Sequence, residues 1–123
     1  MRHIESNIQK QCVKWFTLQF PDKRGLFFAV GNGGARSKIE AAIMKGEGVT
    51  AGVSDILFLY PTNRFHGLCI EFKTPKGRQT DSQKEFQFQV EQAGYCYIIV
   101  RSVPEFISKI KDYIYNRDPN ENQ

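Results

Sequence analysis

The sequence predicts an α/β fold in which one mixed β-sheet is flanked by helices. Segments with apolar residues at helical spacing alternate with short apolar runs of strand length along the 123 residues. Stretches rich in glycine or proline separate these segments, and the resulting order is α-β-α-β-β-α-β-α. A chain of this length with 41% hydrophobic residues is expected to form one domain with a modest core.

The first half of the chain contributes two helices and one strand. Residues 4–19 carry apolar side chains at helical spacing, and Pro21 ends that helix. Residues 26–30 form a short apolar strand. Residues 35–46 form the second helix, and the glycines of residues 46–52 indicate a shaped loop rather than an element interior.

The second half begins with a β-hairpin and continues with a helix, a strand and a last helix. Thr80 or Asp81 caps the helix after the hairpin, and Gly94 ends it. We predict one domain over residues 1–115 and a polar, disordered tail over residues 116–123. The predicted elements of this half cover residues 54–60, 68–73, 81–93, 95–100 and 103–115.

Charge and cysteine content narrow the classes of function. A net charge of +4 is compatible with a polyanionic partner without requiring one. Three cysteines without CxxC spacing argue against a disulfide framework or a zinc cluster, and they favour the reducing cytosol. No apolar run approaches the ~18 residues that span a bilayer, and the N-terminus lacks a hydrophobic signal core. We therefore expect a cytoplasmic protein without a membrane partner.

Three charged residues lie at the ends of the hairpin's apolar runs. Charges on the inner rows of strands are costly unless they are paired or bind a metal. Because side chains alternate along a strand, Glu71 and Lys73 share one face and lie about 6.6 Å apart. If Tyr60 pairs with Leu68, Asp55 lies opposite Lys73 and diagonal to Glu71. The three residues are therefore predicted to meet on one face of the hairpin.

Two carboxylates and a lysine in this arrangement suit metal-dependent cleavage of phosphodiesters. Mg²⁺ and Mn²⁺ prefer oxygen ligands, which Asp55, Glu71 and the Phe72 carbonyl would supply. The metal would polarise the phosphate, and Lys73 would position water or stabilise charge in the transition state. The alternative is a structural ion pair between Asp55 and Lys73 across the hairpin. The functional interpretation is favoured by Gly52, which leads the segment that ends in Asp55, and by the basic loop that follows Lys73.

In order and context the chain resembles the VRR-NUC nucleases, a branch of the PD-(D/E)xK superfamily, over residues 5 to about 100. The resemblance implies a restriction-endonuclease-like core, metal ligation by Asp55 and Glu71, and a catalytic Lys73. Ser54 stands where the superfamily usually has proline, a change of backbone shape rather than of chemistry. The matching positions are Asn32-Gly33-Gly34, Gly48, Gly52-Val53-Ser54-Asp55, Glu71-Phe72-Lys73, Gln83 and Gly94.

The same resemblance implies two further site residues and a biological setting. Glu5 would be an additional acid near the metal, and Gln83 would be the helix glutamine beside the active site; ordinary surface roles are the alternatives. Free-standing members of this size occur in phages and bacteria, which implies the cytoplasm of a bacterial or phage-infected cell. They look like structure-selective DNA nucleases, and some resemble Holliday-junction resolvases in acting as homodimers.

Basic residues near the two loops that would flank the metal are candidates for phosphate contacts along DNA, and solubilising charge is the alternative for each. They are Arg36, Lys38, Lys76, Arg78 and Lys84. We therefore predict a Mg²⁺- or Mn²⁺-dependent endonuclease for branched DNA, acting as a homodimer. The alternatives are a restriction- or repair-type nuclease with another DNA preference and a non-catalytic nucleic-acid-binding module.

Overall fold

The computed structural model describes residues 2–31 and 37–121. Within them, four helices and four strands follow the predicted order, and a short 3-10 helix, Arg24–Leu26, precedes the first strand. The helices are α1 (Arg2–Gln19), α2 (Lys38–Gly46), α3 (Asp81–Gln92) and α4 (Val103–Ile114). The strands are β1 (Phe27–Ala29), β2 (Ile56–Phe58), β3 (Leu68–Phe72) and β4 (Cys96–Val100).

Some predictions lie outside the described residues and have no structural outcome. These are the loop Asn32-Gly33-Gly34, the basic residue Arg36, the first two positions of the second predicted helix, and residues 122–123 of the predicted tail. In the part of the chain that the structure describes, no helix has both the length and the apolar character needed to cross a membrane.

The four strands form one mixed sheet in the order β1-β2-β3-β4. The first two pairings are antiparallel and β3 pairs in parallel with β4. Helix α3 makes the crossover between these two parallel strands, as a parallel pair requires. The predicted mixed sheet with flanking helices is confirmed.

The hairpin register differs from the predicted one by two residues. Phe58, not Tyr60, lies opposite Leu68. The Tyr60 carbonyl instead accepts a hydrogen bond from the Tyr113 hydroxyl at 2.7 Å, so it is held by α4 rather than by β3. Continuing the observed register places Asp55 opposite Glu71 instead of opposite Lys73. A shift of two residues leaves each side chain on its predicted face.

The core lies on one face of the sheet, between the strands and helices α1 and α4. Phe16 of α1 stacks on Phe27 at 4.0 Å between ring centroids, and Phe106 of α4 packs edge-on against Phe27. The strand residues on this face are Phe27, Ile56, Phe58, Leu68, Ile70, Phe72, Cys96, Ile98 and Val100. Since residues alternate along β3, Cys69 and Glu71 point to the opposite face, toward α3.

Residues 116–121, which belong to the segment predicted to be a disordered tail, make hydrogen bonds to the domain. The Asn116 side chain accepts the Asn63 N–H at 2.9 Å, and its carbonyl accepts the Arg64 Nε–H at 2.9 Å. Asn120 donates its side-chain amide to the Tyr97 carbonyl at 2.7 Å, and Pro119 is buried. The polar composition suggested a solvated segment, but these amides bind backbone groups of the domain.

Candidate active site

Glu71 carries a buried carboxylate near the end of the otherwise apolar strand β3. The residue is 1% exposed, and β3 is buried along its whole length. A charge in such a place requires partners, because burial without them costs several kcal/mol. Its partners are Tyr97 on β4, Gln79 in the loop after β3, and Lys73, which follows Glu71 by two residues.

The two oxygens of Glu71 have different surroundings. Oε1 accepts hydrogen bonds from the Tyr97 hydroxyl and from the Gln79 side-chain amide, the latter at 3.2 Å. Oε2 lies 3.5 Å from Lys73 Nζ, yet among the described residues no group donates a hydrogen bond to it. The carboxylate therefore has one satisfied oxygen and one buried oxygen with only an ion-pair neighbour.

Asp55 is fixed beside Glu71 through its side chain and its backbone. Its Oδ2 accepts the Phe72 N–H at 2.7 Å, and its carbonyl accepts the Val30 N–H at 2.9 Å. Burial raises the pKa of Asp55, the Phe72 N–H opposes that rise, and the charges of Glu71 and Glu5 add to it. The acids thus repel one another, which is the electrostatic setting that a cation relieves.

The structure brings three of the predicted acids into electrostatic contact. Glu5, half-buried on α1, is close enough for its charge to act on Asp55. Over residues 2–31 and 37–121, no three His, Cys, Asp or Glu side chains converge into a metal site by themselves. Asp55 and Glu71 would supply two oxygen ligands, and Mg²⁺ usually completes its octahedron with water and substrate oxygens. The unpartnered Oε2 of Glu71 and the raised pKa of Asp55 fit such a cation.

Gln83 has a different setting from the one predicted. Its side-chain oxygen accepts the Thr80 N–H at 2.8 Å, and its own N–H donates to the Thr80 hydroxyl at 3.2 Å, which forms a capping box. In the described structure its side-chain amide caps the N-terminus of α3 and makes no hydrogen bond to Glu71. Gln79, just before the helix, takes that position, and the catalytic role of Gln83 stays a prediction.

Tyr97, Gln79 and Arg101 are site residues that the sequence did not reveal. Burial raises the pKa of Tyr97 far above its ordinary value and the bond to Glu71 adds to this, so the hydroxyl is a donor. Arg101 donates to the carbonyls of Thr74 and Gly77 at 2.8 and 2.7 Å, which shapes the loop after Lys73. A tyrosine inside an apolar strand was the available signal for Tyr97, whereas Gln79 and Arg101 have no distinguishing spacing.

The basic candidates that the structure describes are exposed. They are Lys38, Lys76, Arg78 and Lys84. Lys76 lies in the loop that Arg101 holds, and Arg78 follows it directly before Gln79. Their exposure is compatible with contacts to phosphates, while the alternative of solubilising charge stands for each.

Gly52 connects the segment before Asp55 to the start of α3. Its φ is 86°, and a Cβ there would lie 2.3 Å from the Ser82 carbonyl oxygen. We expect Gly52→Ala to destabilise the protein by about 1–3 kcal/mol from backbone strain alone, with more from the overlap. Urea unfolding measures the loss. Gly46→Ala is the control, because a Cβ at Gly46 meets nothing within 4 Å; equal stability of both variants would contradict the assigned contact.

Comparisons with known proteins bear on the family of the chain. No protein-family model matches it, and no curated protein matches it. A solved structure described as a "VRR_NUC domain protein" is similar to it with a TM-score of 0.80 and 27% sequence identity. The similarity covers 93% of this chain and 90% of the other. The chain is therefore similar over nearly its whole length to a VRR-NUC domain protein, and it has the same restriction-endonuclease-like fold.

Proposed function

We propose that this domain is a Mg²⁺- or Mn²⁺-dependent DNA endonuclease that hydrolyses phosphodiester bonds at Asp55, Glu71 and Lys73. The observation that carries the proposal is the buried Glu71 carboxylate. Its Oε2 accepts no hydrogen bond from the described residues and lies 3.5 Å from Lys73 Nζ. A purely structural ion pair would satisfy both oxygens, because an unmet buried acceptor destabilises the fold.

The chain's own residues would divide the work of such a site. Asp55 and Glu71 would hold the cation, and the Phe72 N–H would keep Asp55 in place. The Phe72 carbonyl and Glu5 are further candidate ligands. A bound divalent cation supplies polarisation of the phosphate and a more acidic water. Lys73, whose side chain is 10% exposed, is held near this position and would position the nucleophilic water or stabilise charge on the phosphate.

The exposed basic residues support phosphate-directed binding of DNA. We expect the double change Lys76→Ala with Arg78→Ala to lower duplex affinity and to reduce the slope of log affinity against log salt by about 2. Fluorescence anisotropy of a labelled duplex across a salt series measures both quantities. Lys111→Ala, an exposed lysine of α4, is the charge control, and an unchanged slope in the double variant would remove this loop from the interface.

Selectivity for branched DNA and a homodimeric assembly follow from the size of the domain and from symmetry. A domain of this size has little surface for reading bases, so recognition of shape through phosphates is favoured. Symmetric cleavage of a four-way junction needs two active sites, which a C2 homodimer supplies. We propose a Holliday-junction-resolvase-like enzyme that works in the cytoplasm of a bacterial or phage-infected cell.

A cleavage panel tests the proposed function. End-labelled single strands, duplexes, flaps and four-way junctions are incubated with Mg²⁺ or Mn²⁺, with EDTA in parallel, and sedimentation gives the assembly state. We expect EDTA-sensitive cleavage that is fastest on branched DNA, by a dimer. Equal cleavage of plain duplex would favour a restriction- or repair-type nuclease. Binding without EDTA-sensitive cleavage of any substrate would favour a non-catalytic nucleic-acid-binding module.

A further inference from the structure

Tyr97 approaches Glu71 from the neighbouring strand. In the parallel pairing of β3 with β4, Tyr97 lies opposite Cys69, two residues before Glu71, so both side chains occupy the α3 face of the sheet. Tyr97 is 1% exposed, and its hydroxyl donates to Glu71 Oε1. The phenol ring is buried on the same sheet face as the acid. Packing of this ring therefore fixes the position of the hydroxyl, and solvent does not compete for its hydrogen bond.

Gln79 approaches the same oxygen with an orientation that its neighbours impose. One N–H of its amide reaches Glu71 Oε1 at 3.2 Å and the other reaches Gln87 Oε1 at 2.9 Å. Gln87 in turn donates its amide to Glu91 at 3.2 Å, so its oxygen is left to face Gln79. This chain of amides along α3 points the nitrogen of Gln79, and not its oxygen, at the carboxylate.

Both neutral donors make their hydrogen bonds to the same oxygen of Glu71, and neither donates to the other oxygen. Each hydrogen bond to a carboxylate removes a lone pair from competition for a metal and restricts rotation of the group. Oε1 carries both donors, whereas the described residues donate no hydrogen bond to Oε2. A carboxylate held in this way has a defined ligand direction before any cation arrives.

We propose that Tyr97 and Gln79 are positioning residues that hold Glu71 Oε1 and so present Oε2 as the single oxygen that Glu71 offers to the divalent cation. This inference rests on the proposed function, because it assumes that Glu71 is a metal ligand. Gln87 contributes by orienting Gln79. Tyr97 and Gln79 themselves would touch neither metal nor substrate.

A second buried tyrosine serves as the control. It separates an effect on metal binding from the loss of stability that follows when any buried hydrogen bond is removed. Tyr113 is fully buried, and its hydroxyl donates to the Tyr60 carbonyl at 2.7 Å instead of to an acid. Tyr97→Phe and Tyr113→Phe therefore each remove one buried hydroxyl and keep the ring. We expect both variants to melt below wild type, and we expect their metal binding to differ.

The test is a Mn²⁺ titration of the intact chain, followed by calorimetry and by electron paramagnetic resonance. We expect Tyr97→Phe to weaken Mn²⁺ binding by about 10–100-fold, the range typical of losing a partner of a metal ligand. We expect Tyr113→Phe to stay within about twofold of wild type, because its site is independent. Cleavage by Tyr97→Phe should recover as Mn²⁺ is raised, while its DNA affinity stays at the wild-type value.

Gln79→Leu repeats the test at a partly exposed position, where loss of folding does not confuse the result if Tyr97→Phe unfolds. It should weaken Mn²⁺ binding in the same direction. Gln89→Leu is its control, because Gln89 donates to the exposed Glu85 at 2.9 Å. Wild-type Mn²⁺ affinity in both Tyr97→Phe and Gln79→Leu, with binding lost in Glu71→Gln, would overturn this inference alone. Absence of Mn²⁺ binding to wild type would overturn the proposed function together with it.

Discussion

Lys73→Ala is expected to lower single-turnover DNA cleavage at saturating Mn²⁺ by about 10²-fold or more, while DNA affinity changes far less. The Nζ atom lies 3.5 Å from Glu71 Oε2, the side chain is almost buried, and among the described residues no other cationic side chain forms an ion pair with Glu71. Stabilisation of charge at the reacting phosphate appears in the transition state and contributes little to ground-state binding. Cleavage of an end-labelled substrate and anisotropy of the same DNA measure the two quantities.

Removal of this lysine also leaves a buried carboxylate without its cation. That change destabilises the fold, so thermal unfolding of the variant must accompany the rate measurement. Lys73→Met keeps more of the packed side-chain volume and should be as inactive as Lys73→Ala but more stable. Lys111→Ala on α4 is the control and should cleave at the wild-type rate. Wild-type cleavage by a folded Lys73→Ala or Lys73→Met protein would remove Lys73 from the mechanism.

Asp55→Asn is expected to have opposite effects on metal binding and on the stability of the metal-free protein. Affinity for hard cations depends on the number of charged oxygen ligands, so Mn²⁺ binding should weaken by at least about tenfold. Stability in EDTA should rise, because the amide carries no charge to be desolvated or repelled by Glu71 and Glu5. The Asn oxygen can still accept the Phe72 N–H.

The pH dependence of stability follows from the direction of the Asp55 shift. Since folding raises the pKa of Asp55, the folded chain binds that proton more tightly than the unfolded chain does. The contribution of Asp55 to the free energy of unfolding therefore decreases as pH rises from the unfolded pKa through the higher folded one. At pH values above the folded pKa, the full cost of burying the charged Asp55 carboxylate is present. Wild type in EDTA should lose more stability across this pH range than Asp55→Asn does.

Urea unfolding across pH, with EDTA or with Mn²⁺, measures these opposite effects. Mn²⁺ should stabilise wild type strongly and Asp55→Asn weakly, because only a bound cation shifts the folding equilibrium. Asp112→Asn is the control, since Asp112 pairs with the exposed Arg117 on the surface. A lower stability of Asp55→Asn in EDTA, or equal stabilisation of both proteins by Mn²⁺, would contradict the description of Asp55 as a repelled metal ligand.

Hydrophobic periodicity predicted the order of the elements, because burial of an apolar face determines which segments form helices and which form strands. It could not give the hairpin register, since the contact that draws Tyr60 away from β3 comes from Tyr113, far along the chain. The two-residue error left Asp55, Glu71 and Lys73 on their predicted faces, because side chains alternate with a period of two. The proximity of these three residues was therefore predictable even though their exact pairing was not.

The partners of Glu71 were less accessible from sequence. Tyr97 meets Glu71 through the parallel register of β3 and β4, and α3 separates these strands along the chain. Gln79 and Gln83 lie four residues apart at the start of α3, and only packing decides which amide caps the helix and which one reaches the acid. The polar residues after α4 indicated disorder because composition does not show where an amide finds a backbone partner.

In the proposed function, Asp55 and Glu71 hold a divalent cation that enables this domain to cut DNA. The most direct measurement is the single-turnover cleavage rate of a labelled four-way junction as Mn²⁺ is titrated, for wild type and for Glu71→Gln. We predict a wild-type rate that saturates with Mn²⁺ and is abolished by EDTA, with no cleavage by Glu71→Gln at any concentration. Equal, Mn²⁺-independent rates for the two proteins would contradict a cation held by Asp55 and Glu71.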